Sequence, residues 1–264
     1  MIKSVDQLQN EIEIRNFPLR IISTVPSQTE LLSDLGLDKE VVGITKFCIH
    51  PNSWFRDKQR IGGTKNLNFD KICSLLPDLI IANKEENDKN QIDALRIKFP
   101  VWVSDIKSME DALKMILEIS RITNRIDAGL EIVRDCKTEF EKLQSIKIRY
   151  SCAYLIWKNP IMTIGGDTFI SNMMYHAGLT NVFSDRDRYP EISLSDLKNK
   201  KPDVIILSSE PYHFKEKDIA ELQTSLPGIR IIIADGELFS WYGSRMIKAP
   251  SYFMTLRDII NSAL

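Results

Sequence analysis

Aromatic rings beside cations and carboxylates recur in this chain in short segments that follow apolar, β-branched runs. Lys46-Phe47-Cys48-Ile49-His50-Pro51, Asn83-Lys84-Glu85-Glu86-Asn87, Trp157-Lys158-Asn159-Pro160 and Arg188-Tyr189-Pro190-Glu191 are four of them. Two more cover residues 208–214 and 236–245, the last containing Trp241-Tyr242 beside Gly243 and Arg245. Flat apolar faces next to ammonium, guanidinium and carboxylate groups suit a large, partly planar ligand with polar substituents. Consecutive aromatics cannot both face the core of a regular strand, so Trp241 and Tyr242 are the leading candidate contacts. Trp157 and Tyr189 would add apolar faces, while Arg245, Lys65 and Lys46 would answer carboxylates or a phosphate. His50, Glu85 and Glu210 lie in the same loops and complete the candidate binding set. On this reading Trp241→Ala weakens ligand binding and leaves folding nearly intact.

Other chemistries are less well served. Glu85, Glu210 and Glu237 could furnish an acid–base pair for a two-lobed hydrolase or transferase. There is, however, no Gly-x-Ser-x-Gly elbow, no His-Glu-x-x-His spacing and no nucleotide-binding glycine loop. Cys48-Ile49-His50 offers two zinc ligands with nothing nearby to complete a tetrahedral set, and His50 and His213 read as hydrogen-bonded structural groups. Gly165-Gly166-Asp167 lacks the lysine-serine that follows a phosphate loop and reads as a tight turn into a helix. No metal site, no cofactor of the protein's own and no catalytic residue are therefore expected. The four cysteines form no C-x-x-C pair and read as free thiols packed as small hydrophobes in a reducing compartment.

The elements that must position these loops are legible as alternating strands and helices. Strands are expected at 21–25, 41–45, 79–82, 101–104, 152–156, 162–164, 204–208 and 230–234. Helices are expected at 28–35 with Ser27 as N-cap, at 68–75 with Asn68 able to cap, from about Glu85, at 168–177 and at 251–263. Segment 6–20 reads as a leader whose Ile12–Ile14 could pair at a sheet edge. Ser108 and the apolar stripe from Met109 to Ser120 fit one amphipathic helix, and Ile126 to Leu143 a second, longer one. About 20 helical residues span roughly 30 Å, which would carry the chain from one lobe to the next with little bending. In open parallel sheets, ligands sit beyond the carboxyl ends of the strands, where these loops fall.

A twofold internal repeat, carried by four matched motifs in the same order, fixes the organisation. Phe69-Asp70-Lys71-Ile72 followed by Pro77-Asp78-Leu79-Ile80-Ile81 parallels Leu194-Ser195-Asp196-Leu197 followed by Pro202-Asp203-Val204-Ile205-Ile206. Leu35-Gly36-Leu37 parallels Ala177-Gly178-Leu179, and Phe99-Pro100 before Val101 parallels Leu226-Pro227 before Arg230. The expected fold is α/β: two pseudo-repeated lobes with central parallel sheets, joined by a long rigid helix. The lobes are assigned to 1–107 and 151–264, with connecting helices at 108–150. At 264 residues, 43% apolar and 27% charged, the composition is that of an ordinary globular protein. A net charge of −1 leaves no basic footprint for nucleic acid, and no apolar run reaches membrane-spanning length. The start carries charge throughout and no export signal, so the chain as written reads as cytoplasmic, or as periplasmic or cell-envelope if a signal was removed. A monomer is expected.

Arg20-Ile21-Ile22-Ser23 with Pro26-Ser27-Gln28-Thr29-Glu30, then Ile61-Gly62-Gly63, then Pro77-Asp78-Leu79-Ile80-Ile81 resemble the first-lobe signature of one family. That family comprises the periplasmic binding proteins that capture cobalamin, haem or ferric siderophores for ABC importers. The resemblance covers nearly the whole chain. It implies a non-catalytic receptor holding a metal chelate, a corrinoid first and a ferric siderophore or haem next, in a shallow interlobe cleft. It also implies docking to an ABC permease through one acidic residue per lobe. Asp70 matches the first position; Ser195 occupies the second with Asp196 adjacent, so Asp70 and Asp196 are the expected docking pair. Cobalamin binders often place tryptophans where this chain has Lys65 and Asn83.

Overall fold

The computed structural model describes residues 1–146 and 149–262, so the expected end of the last helix at Ala263 lies outside the described residues. The chain divides into two compact units. The first comprises Met1–Ile106, Glu110–Cys136 and Tyr242–Arg245; the second comprises Lys107–Met109, Lys137–Trp241 and Met246–Leu264. The sequence reading treats 108–150 as a connector in its own right, whereas here its residues are shared between the units.

The first unit opens with a hairpin, β1 (Ile2–Val5) and β2 (Glu11–Ile14), paired antiparallel in a sheet of its own. The expected pairing of Ile12–Ile14 at a sheet edge is found, with β1 in this two-stranded sheet and not with the main sheet. The reason is the turn: the Asp6 carboxylate accepts from the amides of Leu8 (2.9 Å) and Asn10 (2.8 Å), folding the chain back on itself. The main sheet is built from β3 (Ile21–Ser23), β4 (Val41–Ile44), β5 (Gln59–Arg60), β6 (Leu79–Asn83) and β7 (Val101–Ser104). These strands run parallel in the order β5-β4-β3-β6-β7, so the order reverses at β3. Strands β3, β6 and β7 are buried along their whole length, as expected of a parallel sheet covered on both faces.

The helices of this unit begin differently from expectation at two places. Helix α1 (Pro26–Asp34) starts at Pro26 rather than after a Ser27 cap, since proline needs no amide partner in the first turn and its fixed φ suits it. A short α2 (Asn52–Asp57) follows β4. Helix α3 (Phe69–Ser74) is capped by Asn68, whose side chain accepts from the Lys71 amide. Helix α4 (Lys89–Arg96) begins at an Asp88 cap, not near Glu85. Asn83 Oδ1 takes the amides of Glu85 (2.8 Å) and Glu86 (3.0 Å) into a turn first, which delays the helix. Helices α5 (Met109–Ile122) and α6 (Ile126–Glu141) match the two amphipathic stripes. They approach closely at Gly129, where a Cβ would strike the Ser120 side chain.

The second unit repeats the plan. Strands β8 (Tyr150–Trp157), β10 (Leu179–Asn181), β11 (Val204–Ser208) and β12 (Arg230–Ala234) run parallel in the order β10-β8-β11-β12, with β9 (Met162–Thr163) antiparallel on β8. In the two sheets β3 and β8 correspond: each has one parallel neighbour, β4 or β10, on one side and the unit's last two strands, β6-β7 or β11-β12, on the other. Helices α7 (Phe169–His176), α8 (Leu194–Lys200), α9 (Glu216–Ser225), α10 (Glu237–Ser240) and α11 (Ala249–Asn261) complete the unit. Ala153, Leu155, Ile205, Leu207, Phe183 and Phe214 lie at the centre of its core.

Candidate functional site

Three loops at the carboxyl edge of the first sheet are built as one body. Asn87 is buried, and its side-chain oxygen accepts from Thr24 Oγ1 (2.8 Å) and the Asn83 amide (2.8 Å) while its nitrogen donates to Thr64 O (3.0 Å). Lys65 Nζ donates to the backbone carbonyls of Glu85 and Asn87, and Gln91 holds the Lys65 carbonyl and the Leu67 amide. Asn83 is anchored to Ser104 Oγ at 2.9 Å. Gly62 sits at φ +105°, where a Cβ would strike the Asn66 carbonyl, so the turn into 63–66 requires glycine. The result is a depression of about 510 Å³ lined by Lys46, Phe47 and residues 62–66. Lys46 Nζ stands 5.0 Å from the Phe47 ring centroid, and both side chains are exposed. Glu85 falls in the same loop body, and His50 lies partly exposed beyond it, before Pro51.

Beneath these loops is a polar cluster that sequence reading missed. Thr29 Oγ1 donates to Ser23 Oγ (2.8 Å) and Val25 O (2.8 Å), and Cys48 Sγ lies 3.1 Å from both Thr29 and Thr45 hydroxyls. Burial pushes the Cys48 thiol up, against the lowering effect of those hydroxyls. Cys136 is pushed up to about 12 by desolvation, and Cys152 is raised by the same cause. All four cysteines are free, and these three are protonated packing groups rather than nucleophiles.

At the carboxyl edge of the second sheet the rings form a chain. Trp157, 38% exposed, meets Tyr212 edge-on at 5.4 Å, and Tyr212 meets Phe214 at 4.7 Å. Trp157 Nε1 donates to Asn159 O at 3.1 Å, which fixes the ring over its own turn. Lys158 is tied to Asp218 (2.8 Å) and Glu221 (2.7 Å). Tyr189 follows Arg188, whose guanidinium lies 6.0 Å from its ring and whose φ of 61° turns the loop. Gly165 and Gly166 carry this segment: a Cβ on either would strike the carbonyls of Arg186 or Ser184. Their purpose is close backbone approach, in keeping with a turn and not a phosphate cradle.

The segment 236–245 departs most from expectation. Trp241 and Tyr242 are both buried, at 8% and 7% exposure, because they leave α10 outside any strand and escape strand alternation. Trp241 Nε1 donates to Glu210 Oε1 at 3.0 Å, and Ser240 Oγ donates to the same oxygen at 2.6 Å. Truncating Trp241 would therefore disturb packing and leave Glu210 short of a donor, so the expectation that folding stays nearly intact is corrected. Arg245 donates through Nε and Nη2 to Glu30 at 2.7 and 3.0 Å, within the first unit. That pair was not foreseen, and nothing local to Glu30 in the polar first turns of α1 points to it. Among the described residues no three His, Cys, Asp or Glu side chains gather as a metal site.

The expected docking carboxylates occupy equivalent helix starts. Asp70 is exposed in the first turn of α3. Asp196 accepts from the Ser193 amide and hydroxyl at 2.8 Å, forming the capping box of α8, and lies 3.4 Å from Arg186. The Ser193 amide, its hydroxyl and then Arg186 hold the Asp196 carboxyl below the usual range.

Residues 21–229 match the model of the family described as periplasmic binding protein. The chain is 28% identical over 196 residues to a vitamin B12-binding protein of Vibrio vulnificus (strain CMCP6), covering 72% of this chain and 71% of that protein. The fold is shared with the periplasmic vitamin B12 binding protein BtuF of Vibrio cholerae, at TM-score 0.80 and 23% identity over 93% and 98% of the two chains. It is shared too with the periplasmic heme-binding protein RhuT from Roseiflexus sp. RS-1, at TM-score 0.75 and 19% identity over 91% and 98%. A cytoplasmic placement finds no support in these relatives, of which the two solved ones are periplasmic by name.

Proposed function

This chain belongs to the periplasmic binding protein family, and we propose that it is a non-catalytic receptor that captures a metal chelate and delivers it to an ABC permease. The chelate class put first is the corrinoid, on the 28% identity to a vitamin B12-binding protein. A ferric siderophore or haem is the narrower alternative, since a relative of known structure is named a heme-binding protein. The observation that carries the reading is chemical. The carboxyl edges of both sheets present exposed rings: Phe47 with Lys46 beside loops held by a buried hydrogen-bond network, and Trp157 edge-on to Tyr212. Such preorganised, partly apolar surfaces suit a rigid planar ligand, because little ordering remains to be done on binding.

In this assignment Lys46, Lys65, Trp157 and Tyr189 contact the ligand, with His50 and Glu85 at the margin. Tyr242, Trp241, Glu210 and Arg245 support the loops from beneath more than they face the ligand. Glu210 already accepts two hydrogen bonds on one oxygen, which argues against its use as a general base. Asp70, exposed and outside any recorded ion pair, is the stronger permease contact; Asp196 is committed to its helix cap. The assignment places the protein in the periplasm or cell envelope, working as a monomer without a cofactor of its own.

Thermal denaturation with a panel of ligands tests the class. Cyanocobalamin, haem or a ferric hydroxamate should raise the midpoint by several degrees at about 100-fold excess over Kd, as mass action requires. A rise with nucleotide sugars and none with the chelates would favour the transferase reading instead.

A further inference from the structure

The depression at the first sheet's carboxyl edge has a charge character that the receptor reading alone does not specify. Its charged lining residues are Lys46 and Lys65. Lys65 is held by two main-chain carbonyls, which fix the ammonium in place without an ion pair. Lys46 is exposed and its recorded partner is the Phe47 ring, a contact that likewise keeps the full charge. No carboxylate lies within ion-pair distance of either lysine among the described residues. The nearest acidic influence on Lys65 is the longer-range one of Glu86, with Glu85 beside it, on the adjoining loop. This biases an incoming anion toward the Lys46 side. The Gly63 and Asn66 amides are used on each other's carbonyls and are not donors to the depression. Gly63 also keeps the space open: a Cβ there would stand 3.3 Å from Phe47 Cε2 and 3.4 Å from Lys46 Cε.

Resting on the receptor reading, we propose that this depression is the subsite for an anionic substituent of the chelate, a carboxylate or phosphate ester, with Lys46 and Lys65 as its charge partners and Phe47 against the adjoining apolar surface. A chelate that bears such a group is preferred over one of the same ring that lacks it. Two ammonium groups on one depression answer a single anion as point charges, without the bidentate geometry an arginine would impose.

The test is isothermal titration of the full chain with two matched pairs of ligands. Cobalamin and cobinamide share a corrin and differ by the phosphate-bearing loop; haem and haem dimethyl ester share a porphyrin and differ by free carboxylates. The anion-bearing member of at least one pair should bind about tenfold tighter or more, with an affinity that falls as salt is raised. Discrimination in the first pair assigns a phosphate, and in the second a carboxylate. Lys46→Gln should remove most of that preference, and Gly63→Val should lower affinity by filling the space. The Lys46 side chain makes no hydrogen bond among the described residues, so its variant is the informative one should Lys65→Gln loosen the loop. Equal binding within both pairs, or a preference that survives Lys46→Gln and Lys65→Gln, overturns the subsite and leaves the receptor reading standing. Binding confined to a neutral ferric hydroxamate also overturns it. Failure of every chelate to bind removes the receptor reading and the subsite with it.

Discussion

Arg245 meets Glu30 through two donors, with both side chains only 10% exposed. Sequence pattern placed Arg245 among the ligand contacts because it follows an aromatic pair and a glycine. What the pattern could not reveal is a partner 215 positions away. Arg245→Ala takes two charged donors from the Glu30 carboxylate in a dry setting, and a broken buried pair of this kind costs about 3–5 kcal/mol. Urea denaturation should therefore register Arg245→Ala as strongly destabilised, well beyond an exposed lysine variant such as Lys46→Gln. A loss under about 0.5 kcal/mol would return Arg245 to the ligand-facing set. Trp241 was misplaced for a related reason: the alternation rule applies to strands, and Trp241 closes a four-residue helix. By contrast the exposed Trp157 loop was legible, since it follows directly from the end of β8.

At the scale of elements, the repeated motifs turn out to carry repeated tasks. Asp78 accepts from the amides of Leu19 and Arg20 at 2.9 Å just before β3, and Asp203 accepts from the Ser151 amide and hydroxyl at 2.7 Å inside β8. Each aspartate thus ties the start of one strand to its parallel neighbour and helps set the register. Gly36 and Gly178 both stand at φ +74° where a helix ends, the left-handed position that glycine favours. Asn68 and Ser193 cap the equivalent helices α3 and α8. The repeat and the Asn68 cap were legible because they are local, whereas the aspartate ties join residues far apart in the chain and were not. The hairpin β1–β2 and the antiparallel β9 were not, since their pairing depends on turns and neighbours rather than on periodicity. One element has a pH signature. His176 ends α7 with its ring edge-on to Phe140 at 5.1 Å, and desolvation, then Arg149, depresses its pKa. A histidine depressed on folding stabilises above its unfolded value of about 6.5, and that contribution is lost as pH falls through the lower folded value. Chemical denaturation at pH 7.5 and pH 5 should show a smaller acid-side loss for His176→Phe than for the parent chain. Equal losses would mean that His176 is as readily protonated folded as unfolded.

For the molecule as a whole, two parallel sheets of like strand order and the matched family follow from the same repeat that the sequence displays. The ligand class is less legible, because it depends on which loop side chains remain exposed after the hydrogen-bond networks form. No helix among the described residues is long and apolar enough to cross a membrane. The receptor account is tested most directly by titrating the chain's tryptophan fluorescence with cyanocobalamin, haem and a ferric hydroxamate, then recovering the ligand. It predicts saturable quenching at one chelate per chain, with a Kd of about 1 μM or tighter for at least one of them and the ligand returned chemically unchanged. Absence of saturable quenching by all three, or recovery of a converted product, would contradict it.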